Sequence, residues 1–231
     1  KQTMDTWGRI DVLIANAGIL RDKSFGKMEL KDFTAVMDVH LLGTVKTAKA
    51  VWDIMKAQGY GRIVVTTSST GLYGNFGQTN YGAAKLSLVG FMNSLKLEGA
   101  KDNIRVNAIC PVAATRMTEA LMPPAVLEML KPEFVSPAVA YLASEDAPNG
   151  IIMTAAAGAF AAARIVETDG VNLGQNATAD DVAAHFAQLF LIDHLEAAID
   201  ERLLHAVLLD GNFAVHQQLV LGQFFNEGLG L

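Results

Sequence analysis

A single cysteine, Cys110, leaves this chain without an intrachain disulfide, and one thiol fits a reducing compartment. The same scarcity removes any cysteine-built metal site. The five histidines, at 40, 185, 194, 205 and 216, show no His-Glu-x-x-His or comparable ligand spacing, so no metal is expected. Lysine and arginine form no cluster, and with a net charge of −6 a nucleic-acid-binding surface is not expected. No apolar run reaches the roughly 18 residues that a membrane span needs. The N-terminus lacks the basic-then-apolar order of a signal peptide, and Gly-Leu-Gly-Leu at the C-terminus is not the Ser-Lys-Leu peroxisomal address. These absences together predict a cytoplasmic protein with small-molecule or protein partners and no membrane contact.

What is present is apolar residue: 51% of 231 positions, enough to bury one substantial core, and a length that by itself favours a single domain. The most informative stretch runs from Ser68 to Lys85. Before it, Arg62-Ile63-Val64-Val65-Thr66-Thr67 is a β-branched run suited to a strand buried on both faces. After a glycine-rich loop, a helix is predicted from about Gln78 through Lys96. Tyr81 and Lys85, four apart, share one face of that helix. A phenol with a reference pKa of about 10 is a poor base, but a fixed ammonium and a helix N-terminus both favour the phenolate. Ser68, at the strand end, could hold the same substrate oxygen. Such acid–base catalysis is typically worth about 10²–10⁴-fold, so a separate group must carry the hydride. Tyr-x-x-x-Lys alone is usually an ordinary helix face; its neighbours raise its significance.

Taken in order, Lys1 to Gly8 reads as the tail of a helix and Asp11–Ala15 as a strand, turned by Asn16-Ala17-Gly18, whose glycine permits close approach of a ligand. From Glu29 to Gln58 the apolar residues recur at helical spacing, with His40-Leu41-Leu42-Gly43 inside. Ile104–Cys110 is another buried strand, ended by Pro111. Thr115 either contacts a ligand or caps the next segment. Met117 to Met129, with Pro123-Pro124 inside, suits a flap over substrate, its methionines adaptable to an acyl chain or serving as core filler. Ser136-Pro137 opens a helix to about Ser144, and Ile151–Ala155 is the last expected strand. The alanine-rich run to Arg164 is simple in composition and is not a repeat array.

Ser68, thirteen residues before Tyr81, together with Asn16-Ala17-Gly18 after an earlier strand, resembles the short-chain dehydrogenase/reductase family over roughly residues 1–175. The resemblance implies an α/β fold with a doubly wound, Rossmann-like parallel sheet and a nicotinamide cofactor, NAD with NADP as the alternative. It implies Ser68, Tyr81 and Lys85 as catalytic residues. Tyr81 would be the acid/base, and Lys85 would lower its pKa and hold the cofactor ribose. Asn16, Ala17 and Gly18 would lie against the adenosine half, and Pro111, Val112 and Thr115 near the nicotinamide. Where the family usually has Pro-Gly, this chain has Pro111-Val112, and valine cannot readily take the positive φ of glycine. His40 stands where the family carries asparagine, a residue that acts through its backbone carbonyl on a water bound to the lysine. His40 keeps a carbonyl; its side chain is as readily a helix-packing histidine.

The loops narrow the resemblance. Asp38-Val39-His40-Leu41, Tyr60-Gly61-Arg62-Ile63, Gly71 to Gln78, Arg116-Met117-Thr118 and Leu130-Lys131-Pro132-Glu133 look like the D-3-hydroxyacyl-CoA dehydrogenases of the peroxisomal multifunctional enzyme and their bacterial relatives. That implies a 3-hydroxyacyl thioester substrate. A 3-oxoacyl carrier-protein reductase or broader carbonyl reductase is the nearest alternative. Two departures remain. No G-x-x-x-G-x-G turn follows a strand, so the expectation is a member lacking its first three strands, with the Asp11–Ala15 edge open. A non-catalytic interaction protein is therefore a third reading. From 176 to 231 a helical tail is expected, with Asp180 to Leu209 as a helix opened by Thr178 in capping-box form and Phe213–Phe225 apolar again. Residues 195–231 show nothing of the family. The apolar surplus on the helices predicts a homo-oligomer.

Overall fold

The computed structural model describes residues 1–115 and 124–190, apart from the side chains of 124–126 and 190. Every residue of Gly61–Thr66 is buried, as the β-branched run predicts, and this strand organises its neighbours. Val12–Ala15 forms β1, Gly61–Thr66 β2, Ile104–Val112 β3 and Ile152–Ala156 β4, all parallel and in that spatial order. The Ile104 strand does not end at Pro111. It continues to Val112, because Pro111 and Val112 pair in register with Ala155 and Ala156 of β4. The alanine-rich stretch is not featureless either. Ala159–Ala163 forms β5, antiparallel to β4, after a two-residue turn at Ala157 and Gly158 with φ of 49° and 81°. Two positive φ values match the hairpin turn whose twist suits the flanking strands.

Between β1 and β2 the chain forms α2 (Leu30–Met37), a π-helical turn at Asp38–Leu42 and α3 (Gly43–Gln58); α1 (Gln2–Trp7) precedes β1. Between β2 and β3 come α4 (Ser69–Tyr73) and α5 (Thr79–Gly99), and before β4 come α6 (Pro124–Met129) and α7 (Ser136–Leu142). The period-2 alternation of β2 sorts its side chains between layers. Ile63 and Val65 pack with Trp52 and Met55 of α3 and Leu88, Val89 and Met92 of α5, whereas Val64 packs with Val135, Ala138 and Leu142 around α7. Helices thus cover both faces of a mostly parallel sheet, the doubly wound arrangement expected. At β1, Leu13 packs on the first cluster while Val12 and Ile14 are exposed, and among the described residues β1 pairs on one side only.

One compact unit comprises Lys1–Ala163 and a second begins at Arg164. In the second, Thr178 caps α8 (Ala179–Ala184) in a reciprocal capping box with Asp181. The helix expected to run from Asp180 to Leu209 stops at Ala184, and a 3₁₀ segment, Phe186–Phe190, follows His185. The remainder of that expected helix and Phe213–Phe225 lie outside the described residues, as do residues 117–123 of the expected flap. No helix among the described residues is long and apolar enough to cross a membrane.

Candidate active site

Because β1, β2 and β3 run parallel, their carboxyl ends bring Asn16–Gly18, Ser68 and Pro111–Val112 to one edge of the sheet, where ligands of open α/β sheets bind. Ser68 has an extended backbone and caps α4, its Oγ accepting a hydrogen bond from the Thr70 N–H at 3.2 Å. The glycine-rich loop therefore contains a one-turn helix. Gly71 lets that helix close on α5: a Cβ there would stand 2.8 Å from the Leu86 nitrogen and 2.9 Å from the Lys85 Cβ. The same turn of α5 that carries Lys85 thus touches the helix that Ser68 opens.

Tyr81 lies half-buried in the first turn of α5 and Lys85 is buried one turn on. The Lys85 Nζ donates to the Thr66 carbonyl at 2.7 Å and stands 5.5 Å from the centre of the Tyr81 ring, and the Thr67 hydroxyl donates to the Lys85 carbonyl at 2.8 Å. Burial drives the ionisations. It pulls the Lys85 ammonium down to about 8. It also raises the Tyr81 phenol above its ordinary value, a rise opposed by a hydrogen bond from Ser68 and reinforced by the charge of Asp22 and by Cys110. In the protein alone, desolvation outweighs the Ser68 hydrogen bond that favours the phenolate. Burial likewise pushes the Cys110 thiol up to about 12, leaving it unreactive.

His40 sits in the π-helical turn, buried, with its ring edge-on to that of Tyr81 at 5.3 Å between centres. Its Nε2 meets the Ile19 backbone, 3.1 Å from the nitrogen and 2.9 Å from the oxygen. Burial, followed in size by an opposing Ile19 hydrogen bond, lowers its pKa, so the ring is neutral near pH 7. The ring also explains Gly18, where a Cβ would lie 2.5 Å from the His40 Cε1. The glycine of Asn16-Ala17-Gly18 makes room for histidine. Asn16 and Ala17 remain exposed at the strand end, Pro111 and Val112 are half-buried within β3, and Thr115 is exposed beyond it. Val112 needs no positive φ, since it is part of the strand.

A nicotinamide cofactor is tested by the polar atoms left over. His40 Nδ1 and Thr66 Oγ1 are buried without a hydrogen-bond partner, and both belong to residues that contact the Tyr81–Lys85 pair. Lys85 carries three donors, of which one goes to Thr66. This set fits the hydroxyl-rich ribose end of such a cofactor. Among the described residues no strand passes through a G-x-x-x-G-x-G turn into a helix. Sequence reading also passed over Asp22, Thr70 and Asn80, which hydrogen-bond around the first turn of α5. The Asp22–Gln78 bond spans 56 positions, so no local pattern signals it.

The family model for short chain dehydrogenases matches residues 1–124. A short-chain type dehydrogenase/reductase of Mycobacterium tuberculosis is 48% identical over 190 residues, covering 82% of this chain and 66% of the relative. The mouse peroxisomal multifunctional enzyme type 2 is 49% identical over 159 residues, covering 68% of this chain and 22% of that enzyme. Full-length peroxisomal multifunctional enzyme type 2 from Drosophila melanogaster superposes with a TM-score of 0.72 at 35% identity, over 94% of this chain and 38% of the other. This chain thus spans less than two thirds of the length of these relatives. The strand-end serine, the Tyr81–Lys85 pair and these matches agree: the chain belongs to the short-chain dehydrogenase family.

Proposed function

We propose that the chain carries the catalytic centre of an NAD-dependent oxidoreductase that interconverts a 3-hydroxyacyl thioester and its 3-oxo form. The observation that carries this reading is the convergence of Ser68 and Tyr81 above a buried Lys85. Two of the relatives named above are multifunctional enzymes of the peroxisome, which supports the acyl-CoA class. The cofactor supplies or accepts the hydride; the protein handles the proton. A Tyr81 pKa above the ordinary value keeps the phenol protonated at neutral pH, so it can donate to a developing alkoxide during reduction. In oxidation the phenol must first lose that proton, and turnover should rise with pH. The Ser68 Oγ takes the Thr70 N–H on one lone pair, and its single hydroxyl proton, given to Tyr81 in the protein alone, would turn to the substrate oxygen when substrate binds between them. Lys85, tied to Thr66, offers its remaining donors to the ribose hydroxyls.

The test is turnover of 3-hydroxyacyl-CoA with NAD by the purified chain and its Tyr81→Phe variant. The variant should keep the wild-type melting temperature and lose roughly 10²–10⁴-fold in kcat. Full activity in Tyr81→Phe would remove the assignment. Preference for an acyl carrier protein and NADPH would move the protein to the reductase reading. No rise in melting temperature with millimolar NAD would favour the non-catalytic one, since ligand at 100 times its Kd adds about 2.7 kcal/mol.

A further inference from the structure

The residues that hold Ser68 against Tyr81 are drawn from three separate segments. The Gln78 Nε2 donates to the Asp22 Oδ2 at 2.7 Å. The Gln78 Oε1 accepts from the Thr70 hydroxyl and from the Asn75 amide, each at 2.9 Å. Thr70 in turn donates its backbone N–H to the Ser68 Oγ. Two further bonds tie the same loop down: the Lys23 N–H to the Gly77 carbonyl at 2.9 Å, and the buried Asn80 amide to the Arg21 carbonyl at 2.9 Å. The direction of this chain of bonds is set at one end. A carboxylate offers only acceptors, so the Gln78 amide must turn its NH₂ toward Asp22 and its oxygen toward Thr70, and the Thr70 hydroxyl must then be the donor.

We propose that Asp22 and Gln78 are positioning residues of the active site: the Asp22 carboxylate orients the Gln78 amide, which holds Thr70 and so docks the one-turn helix capped by Ser68 on the first turn of α5, where Tyr81 sits. The inference rests on the reading of Ser68 and Tyr81 as the substrate-oxygen clamp and acid/base. It also gives the rim of the site a negative charge that the phenol feels. The titratable and charged groups facing Tyr81 are Lys85 on its own helix, His40 in the π-helical turn, Cys110 on β3 and Asp22 in the loop after β1. Of these, Asp22 raises the phenol pKa, whereas the hydrogen bond from Ser68 lowers it.

Two variants should therefore move Tyr81 in opposite directions. Asp22→Asn keeps an oxygen that can accept from Gln78 but removes the charge, so Tyr81 should titrate at lower pH than in the wild type. Thr70→Val keeps the shape of Thr70 but cuts its bond to Gln78 and loosens Ser68, so Tyr81 should titrate at higher pH. The chain has four tyrosines, and ¹³C labelling at Cζ resolves each; Tyr81 is the signal lost in Tyr81→Phe. The titration needs no turnover, so it remains readable even if the substrate assignment fails. In turnover, Thr70→Val should lower kcat by about 10- to 100-fold at near-constant KM, the signature of misplacement rather than lost binding. A Tyr81 titration unchanged in both variants, or shifted the same way in both, overturns the proposal. Gln78→Ala repeats the Thr70→Val arm should that variant fail to fold, and the same upward shift is required of it.

Discussion

At the scale of single residues, Lys85 shows function set against stability. Its ammonium is buried, and its pKa falls from 10.5 to about 8. A folded pKa below the unfolded value means that the unfolded chain holds more protons between those limits. Stability from this group should therefore rise as pH increases from about 8 to about 10.5, and the burial cost is fully present below 8. At about 1.36 kcal/mol per unit that cost is on the order of 3 kcal/mol at neutral pH. Lys85→Met removes the charge but leaves the Thr66 carbonyl without its donor, a loss of about 1–3 kcal/mol. The expected outcome is a variant up to about 2 kcal/mol more stable than the wild type at pH 7, with little turnover. Urea midpoints should show the advantage shrinking toward pH 10. An advantage independent of pH would mean that packing, and not charge, governs the site.

At the scale of elements, Arg62 is where local pattern and structure part. The run Arg62–Thr67 reads as a buried strand, and Gly61–Thr66 forms one, yet Arg62 within it is a fully buried guanidinium. Nε donates to the Ser144 carbonyl at 2.9 Å, Nη1 to those of Gly61 and Asn103 at 2.8 and 2.9 Å, and Nη2 to that of Glu145 at 3.0 Å. The Tyr60 ring stacks 4.2 Å from the guanidinium carbon. These bonds pin the start of β2 to the end of β3's preceding turn and to the segment after α7. Arg62→Met should remove one donor from each of four carbonyls; because those of Ser144, Asn103 and Glu145 keep a second donor, from the Ala147 and Gly61 N–H groups and from Arg105, it should lower stability by about 1–3 kcal/mol. A urea midpoint within error of the wild type would refute the pin. The strands and α3 were legible because each rests on its own local pattern: β-branched runs for β2 and β3, 3.6-residue spacing for α3. The spacing of Ser68, Tyr81 and Lys85 survived for the same reason, since one strand end and one helix turn fix it. What the sequence hid depends on partners far along the chain. Arg62 meets residues 82 and 83 positions away, His40 explains a glycine 22 positions earlier, and β5 exists because β4 presents an edge. An alanine-rich run carries no period of its own to reveal that edge.

At the scale of the whole molecule, α5 poses the last question. Leu86, Gly90 and Leu97 share its solvent side, with Leu97 73% exposed, and a Cβ on Gly90 would meet nothing within 4 Å. Glycine inside a helix costs roughly 0.5–1 kcal/mol relative to alanine, and no neighbour within the described residues calls for it here. Beside this stripe, Val45, Ala48 and Trp52 of α3 and Phe91 and Leu95 of α5 line a groove of about 150 Å³, rimmed by Lys49 on one helix and Glu98 on the other. A second copy related by a two-fold axis would meet each rim with the opposite charge, and Gly90 would let the helices approach closely. We therefore expect a homodimer built on α3 and α5, at about twice the chain mass of 24.7 kDa by light scattering. Gly90→Leu should restore helix propensity while blocking the close approach, so it should shift the protein to monomer without lowering its melting temperature at low concentration. A wild type that is already monomeric at micromolar concentration would show that this face is covered some other way, and a Gly90→Leu variant that still dimerises would place the contact elsewhere on the molecule.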